Sequence, residues 1–420
     1  MPSADSAGLR GRSPGSNRPA DFITKTLLSG DLQDPSRGRP KVRTMRVMLL
    51  ANTSWYIYNF RLPLAKRLRA EGYEVILVSP FDAYAPRLQE AGFRWIRLPL
   101  ARSGLNPIQE LRSAVRIFNI YRRDRPDLVH QFTLKCVIYG SAAASVLKSI
   151  RVLNSVTGLG YVFSDAKRRH ALRFLVGILL RLTARRTTIV FQNPEDRAEY
   201  IRNGWTTAAA SHLVRGSGVN LQRFAPRPRS PGTTTIVFPG RMLSDKGIFE
   251  FVDAVRLLRS RGLDFRAVLV GRVDLGNPAS VPAEQLRQWS EEGVIEWWGW
   301  EEHMEATYAK AHIVCLPSYY REGVPMSLVE AAACGLPIVA TDVPGCREIV
   351  RENVNGLLVP PRDSIQLAKA LQLLLENAEL QLRLGAGGRE VAAEFASGHV
   401  LDEILGIYRR ILEPPVAGNA

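Results

Sequence analysis

The sequence predicts an α/β protein built from two doubly wound parallel-sheet domains, and three observations carry that expectation. Short apolar strands alternate with amphipathic helices through both halves of the chain. A stretch rich in proline, glycine and arginine, residues 216–232 (GSGVNLQRFAPRPRSPG), interrupts the alternation as a linker would. The length of 420 residues with 46% hydrophobic content suffices for two or three domains with cores of their own.

Residues 1–44 are rich in Ser, Gly, Pro and Arg and hold no apolar run that could serve as a signal-peptide core, so they read as a disordered N-terminal extension. Met45 opens the first strand and is an alternative start. The first domain, 45–225, is expected to place strands near 46–51, 74–79, 93–98, 127–131, 151–155, 187–191 and 212–214. The second, 226–396, is expected to place them near 234–239, 266–270, 294–297, 312–316 and 337–340. The segment 363–412 reads as helical with a break around Ser397 and Gly398, leaving 397–420 as a final helix and tail.

The net charge of +16 is unevenly spread: residues 1–225 carry 36 Lys and Arg against 15 Asp and Glu, residues 226–420 carry 20 against 25. A basic first half suits an anionic surface or acceptor such as phospholipid headgroups or a lipid diphosphate. Nucleic acid is not expected, because no recognised binding motif or stacking array accompanies the charge. Arginine outnumbers lysine 47 to 9, a bias that GC-rich coding also produces. Four cysteines lack metal-type spacing and read as small core residues, which fits a reducing cytoplasm. No run of 18 apolar residues occurs, so no transmembrane helix is expected. The segment 167–186 (KRRHALRFLVGILLRLTARR) has an apolar centre between basic clusters, and reads either as an interfacial helix or as a buried crossover helix.

The stretch 316–350, LPSYYREGVPMSLVEAAACGLPIVATDVPGCREIV, carries the clearest chemistry. A turn leads through Gly323 and Val324 to Pro325, which suits the first helical position because its missing N–H has no partner there. The open N–H groups of residues such as Met326 and Ser327, and the positive end of the helix dipole, favour phosphate oxygens. Glu322 lies before that point and Glu330 beyond it, so one carboxylate can reach sugar hydroxyls and the other ribose hydroxyls. Glu330 sits among Leu328, Val329, Ala331, Ala332 and Ala333, which predicts a partly buried carboxylate in need of a partner. Further upstream, Gly240, Arg241 and Lys246 fall between a strand and a helix starting near Gly247. Cations are disfavoured at a helix start by about 0.3–1 kcal/mol unless an anion intervenes; a diphosphate supplies one, and solvated surface cations are the alternative. His130 ends a predicted strand, where it either meets a ligand or is a satisfied core histidine.

These motifs resemble glycosyltransferase family 4, and Glu322 with Glu330 falls on its E-x7-E signature. The resemblance spans roughly residues 45–412 and implies a GT-B fold, two Rossmann-like domains facing a cleft, with the last helix crossing back to the first domain. It implies that Glu322 faces the donor sugar as a catalytic residue, that Glu330 holds the ribose, and that Arg241 and Lys246 neutralise the diphosphate. The turn residues Gly323, Val324 and Pro325, with Met326 and Ser327, complete the donor site. His130 corresponds to a catalytically placed histidine, although the family's frequent His-x-His has Phe132 at its second position here. The loop after the first strand lacks the glycines that many relatives use. NTSWYIYNFR, HQFTLK and SVTGLGYVF resemble the bacterial subset that extends undecaprenyl-diphosphate-linked sugars, and this implies acceptor contacts from Asn59, Arg61, Thr157, Gly158, Gly160 and Tyr161. The implied activity is retaining transfer from a UDP-sugar to a lipid-linked acceptor, without a metal or cofactor, at the inner face of the cytoplasmic membrane. No DxD triplet is present. A soluble transferase with a small acceptor, a nucleotide-sugar epimerase of the same architecture, and a non-enzymatic sensor are the alternatives.

Overall fold

The computed structural model describes residues 43–100, 106–158, 170–228 and 231–413. The expectations for residues 1–42, for Gly160 and Tyr161, and for the basic cluster Lys167 to Arg169 lie outside them.

Two all-parallel sheets form the protein. The first contains β1 (Arg46–Leu50), β2 (Glu74–Ser79), β3 (Arg94–Arg97), β4 (Leu128–Phe132), β5 (Arg151–Val156), β6 (Thr187–Phe191) and β7 (Ser211–Leu213), in the order β3-β2-β1-β4-β5-β6-β7. The second contains β8 (Thr235–Pro239), β9 (Arg266–Val270), β10 (Glu296–Gly299), β11 (Ile313–Leu316), β12 (Ile338–Thr341) and β13 (Gly356–Val359), in the order β10-β9-β8-β11-β12-β13. Helices cover both faces, so the central strands are buried along their whole length, as TIVFP of β8 and IVCL of β11 show. In each sheet the chain direction of construction reverses between two central strands, β1 and β4 or β8 and β11, and the crevice beyond their carboxyl ends is where such sheets bind ligands.

Several elements differ from the sequence expectation. The second sheet has a sixth strand, β13, whose four residues pair with β12 from Ile338 opposite Gly356. It is too short, and too close to the Asn353 to Gly356 turn, to show a period. The terminal helical region breaks at Asn377, whose side chain accepts from Leu380 N–H at 2.8 Å to cap the helix Ala378–Ala393. A second break precedes the helix Ser397–Leu412 rather than falling inside it. That last helix returns to the first sheet, where Val400, Ile404, Leu405 and Tyr408 join a core with Val47, Leu49 and Phe132. All four cysteines are free and buried. Among the described residues no helix is long and apolar enough to cross a membrane.

The helix His170–Thr183 is buried on one side and exposed on the other. Val176 and Leu180 pack inside, while Phe174 (73% exposed), Ile178 and Leu182 (75%) face outward at four-residue spacing.

Candidate active site

The second sheet builds the site from its two central strands. After β8 the chain passes Gly240 and Arg241 into a short turn, Ser244–Lys246, and then into the helix Ile248–Ser260. After β11 it runs through residues 317–325 into the helix Met326–Ala333. Backbone N–H groups of Tyr319 and Tyr320 donate to Asp245 O at 3.0 and 2.9 Å, locking one loop to the other. Gly247 stands where they touch: its φ is +81°, and a Cβ there would lie 2.1 Å from Pro317 O.

Lys246 and Glu322 are brought together by this contact. Nζ of Lys246 donates to Oε1 and Oε2 of Glu322 at 2.6 and 2.5 Å, and the buried Ser318 hydroxyl donates to Oε1 at 3.0 Å. Arg241 Nη1 donates to Asp274 Oδ2 at 2.7 Å, which fixes the guanidinium beside the same loops. The Tyr320 ring lies under both cations, 6.0 Å from Arg241 and 5.8 Å from Lys246. Two cations thus stand against the loop that leads into Met326–Ala333, whose start is the positive end of the helix dipole. Pro325 is the cap of that helix rather than its first residue, one position earlier than its ring chemistry suggested.

Glu330 is half-buried in the middle of this helix. Burial pushes its carboxyl up to about 7, against the weaker opposing pull of Arg223. The Tyr308 hydroxyl lies 3.5 Å away and makes its better hydrogen bond to Ser327 O at 2.9 Å. Among the described residues Glu330 makes no ion pair, so its ionised form, disfavoured by burial, gains from any hydrogen-bond donors a ligand brings.

The first domain closes on the turn. Gly323 N–H donates to Thr157 O at 3.0 Å, and Val324 N–H donates to Gln192 Oε1 at 3.1 Å. These two backbone groups are therefore engaged by the first domain instead of standing free for a donor. Arg321 Nη2 reaches Asp196 at 3.1 Å and Glu199 at 2.8 Å. At Gly158 the approach is closest: φ is +108°, and a Cβ would lie 2.5 Å from Glu322 Cα and from Gly323 N.

Three residues expected near substrate are placed otherwise. His130 has no exposed surface, and its Nδ1 and Nε2 are hydrogen-bonded to Tyr408 Oη at 2.6 Å and Ser155 Oγ at 2.7 Å. It is a satisfied interior histidine within β4, and burial lowers its pKa well below the usual value. Arg61 is 2% exposed, bonded to Tyr56 Oη at 2.7 Å and stacked 4.4 Å from the Phe132 ring. Asn59 is exposed but donates to its own helix, at Trp55 O. Reading the sequence missed Ser318, Tyr320, Asp274, Gln192 and Arg321. Ser318, Tyr320 and Arg321 carried a signal, lying within the turn that contains Glu322; Asp274 and Gln192 carried none.

A pair of parallel α/β sheets whose switch-point loops present two cations, a helix start and two carboxylates defines a glycosyltransferase of GT-B architecture. Residues 46–193 match the family model described as glycosyl transferase 4-like, and residues 233–377 match that of glycosyl transferases group 1. The chain belongs to glycosyltransferase family 4. It is 27% identical over 384 residues to the N,N'-diacetylbacillosaminyl-diphospho-undecaprenol alpha-1,3-N-acetylgalactosaminyltransferase of Campylobacter jejuni, covering 88% of this chain and all of that one. It is 21% identical over 327 residues to the Escherichia coli UDP-Gal:alpha-D-GlcNAc-diphosphoundecaprenol alpha-1,3-galactosyltransferase, covering 74% and 82% of the two chains. Among solved structures, a Rickettsia africae glycosyltransferase superposes with a TM-score of 0.71 at 18% identity, over 88% of this chain and 99% of that one. Anabaena HepE, solved with UDP-glucose, gives 0.69 at 16% identity, over 87% and 100%.

Proposed function

We propose that the protein transfers a hexosyl or N-acetylhexosaminyl group from a UDP-sugar, with retention of configuration, to a sugar carried on a polyprenyl diphosphate. The observation that carries this reading is the convergence of Lys246, Arg241 and Glu322 about the loop that leads into Met326–Ala333. In this reading Lys246, Arg241 and the helix start stabilise the leaving diphosphate, so the residues present supply the positive potential without a metal. Glu322 orients the donor sugar, and Glu330 accepts from the ribose hydroxyls. Retention follows from attack on the face the diphosphate leaves, with a departing phosphate oxygen taking the acceptor proton. His130 then acts only by positioning, through Ser155 two residues before Thr157.

The lipid-linked acceptor is supported by the names of the Campylobacter and Escherichia relatives and by the basic first half of the chain. The outward row Phe174, Ile178 and Leu182 has a counterpart on the helix Pro107–Asp124, where Ile108, Leu111 and Val115 are exposed beside the exposed Arg112 and Arg116. Both helices pack against the helix Leu134–Leu147, so they share one face of the first sheet. This face is assigned to the anionic inner surface of the cytoplasmic membrane. The proposed division is 45–225 for the acceptor domain, 226–396 for the donor domain, and 397–420 for the returning helix and tail.

The test is to incubate the protein with a panel of nucleotide sugars and a membrane lipid extract. Release of one nucleoside diphosphate together with a mass gain of one hexose or N-acetylhexosamine on a polyprenyl-diphosphate lipid is the expected result. Nucleotide release with a mass gain only in a water-soluble acceptor would overturn the acceptor assignment.

A further inference from the structure

A cavity of about 580 Å³ opens at the amino ends of β5, β6 and β7. The strands run about 3.3 Å per residue, so the length of β5 separates this cavity from Thr157 and the donor loops. Its rim is formed by Lys148, Arg151, Arg186, Arg410 and His212, and no carboxylate lines it. These groups come from distant points of the chain: the cap of Leu134–Leu147, the first residue of β5, the turn Ala184–Arg186, the last helix and β7. Arg186 Nη1 donates to Ser145 O at 3.2 Å, which holds it at the rim. Elsewhere arginines of this chain pair freely with acids, as Arg67, Arg94 and Arg266 do. Among the described residues none of the four rim cations makes an ion pair with a carboxylate. The floor is apolar, from Ala144, Ile150, Val152 and Ile407.

Four cations gathered around one concave apolar floor repel one another, and a multivalent anion seated between them reverses that sign and accepts their N–H donors. We propose that this cavity is a second anion site, separate from the donor cleft, which binds a phosphate or diphosphate group. A planar guanidinium fork can engage two oxygens of a phosphate at once, and two of the four donors, Arg151 and Arg410, reach the cavity from independent elements, β5 and the last helix. The exposed Val146 and Leu182 lie one and four residues from rim-bound Ser145 and Arg186, so apolar surface adjoins the charged rim. The same phosphate chemistry is offered by a lipid headgroup and by free phosphate or diphosphate.

The probe is inorganic pyrophosphate, titrated calorimetrically into the full chain with UDP present in excess. Binding of one pyrophosphate that weakens at least about tenfold in R151Q/R410Q, because charge-assisted hydrogen bonds are lost, is the expected result. K148Q, on an exposed residue, gives the same direction if the double variant folds poorly, as judged by its thermal unfolding. Absence of binding beside UDP, or binding unchanged in both variants, overturns the proposal. Vesicles of phosphatidylcholine with and without phosphatidic acid then separate the sources. Competition between pyrophosphate and phosphatidic acid vesicles assigns the headgroup, and pyrophosphate binding indifferent to vesicles assigns the free anion. The donor assignment stands apart, because R151Q/R410Q leaves Lys246, Glu322 and nucleotide binding untouched.

Discussion

Lys246 and Glu322 neutralise each other across the mouths of β8 and β11, with side chains only 9% and 17% exposed. The lysine assigned to the diphosphate and the carboxylate assigned to the sugar are thus each other's partner until a donor arrives. In the proposed function a nucleotide sugar would supply both replacements, phosphate oxygens for Lys246 and hydroxyls for Glu322. A nucleotide without a sugar supplies only the first.

The first prediction follows from that exchange. E322Q should bind UDP more tightly than the native protein, by a few-fold, because Lys246 no longer has to leave a carboxylate. Transfer should fall by roughly 10²–10³-fold, the range found when one electrostatic group is lost from a catalytic site. Calorimetry and initial rates decide it; weaker UDP binding in E322Q would end the exchange argument.

Lys246→Ala leaves Glu322 half-buried without its cation, a loss of up to about 3 kcal/mol by analogy with other broken buried pairs. K246A/E322A should recover most of that stability in urea unfolding while still failing to bind donor. Recovery of donor binding in the double variant would show that Lys246 does not meet the phosphates.

Glu330 predicts a pH dependence. Its folded-state value near 7 lies above the ordinary carboxylate value, so between the two the folded protein holds more protons than the unfolded chain. Stability of the donor-free protein should therefore fall as pH rises through that window. Ribose hydroxyls need the ionised form, so donor affinity should rise in the opposite sense, by up to about tenfold per pH unit below 7. Tyr308, Arg223 and Glu305 face the same carboxyl and should shift the midpoint without reversing it. E330Q should flatten both profiles and weaken donor binding at pH 8. A pH-independent donor affinity in the native protein would refute the ribose assignment.

Gly158 tests the closure of the first domain on the donor turn. G158A places a methyl group 2.5 Å from Glu322 Cα, so the turn must retreat. UDP affinity should stay within about threefold, since its proposed contacts come from the second sheet, while kcat falls at least about tenfold as the reacting groups separate. Equal loss in UDP affinity and kcat would mean the turn serves only nucleotide binding.

Membrane binding should depend on the outward apolar rows. F174E/L182E should reduce flotation with vesicles containing acidic phospholipid, and binding of the native protein should drop as salt approaches about 0.5 M, where the Debye length is a few ångströms. Equal binding to neutral vesicles would remove the charge from the account.

Local chemistry made the second domain legible. The Gly240, Arg241 and Lys246 group and the turn from Ser318 to Pro325 are each compact in sequence, and each falls after a strand whose apolar run is unmistakable. What the sequence could not display is pairing across distance. Arg241 finds Asp274 33 residues on, Val324 meets Gln192 across 132 residues, and His130 meets Tyr408 across 278. None of these pairs has a spacing or period that marks it. His130 illustrates the cost: its place in a strand of the switch point suggested chemistry, and only the returning helix revealed that both ring nitrogens were already used.

That returning helix also orders events during synthesis. The ribosome delivers Val400, Ile404 and Tyr408 after every strand of both sheets, yet these side chains belong beside Val47, Leu49 and His130. The first domain, although translated first, cannot reach its final packing until residues of the last helix emerge. A nascent chain arrested at Ala396 should thus remain open to protease around β1 and β4, and release of 16 further residues, Ser397–Leu412, should close it.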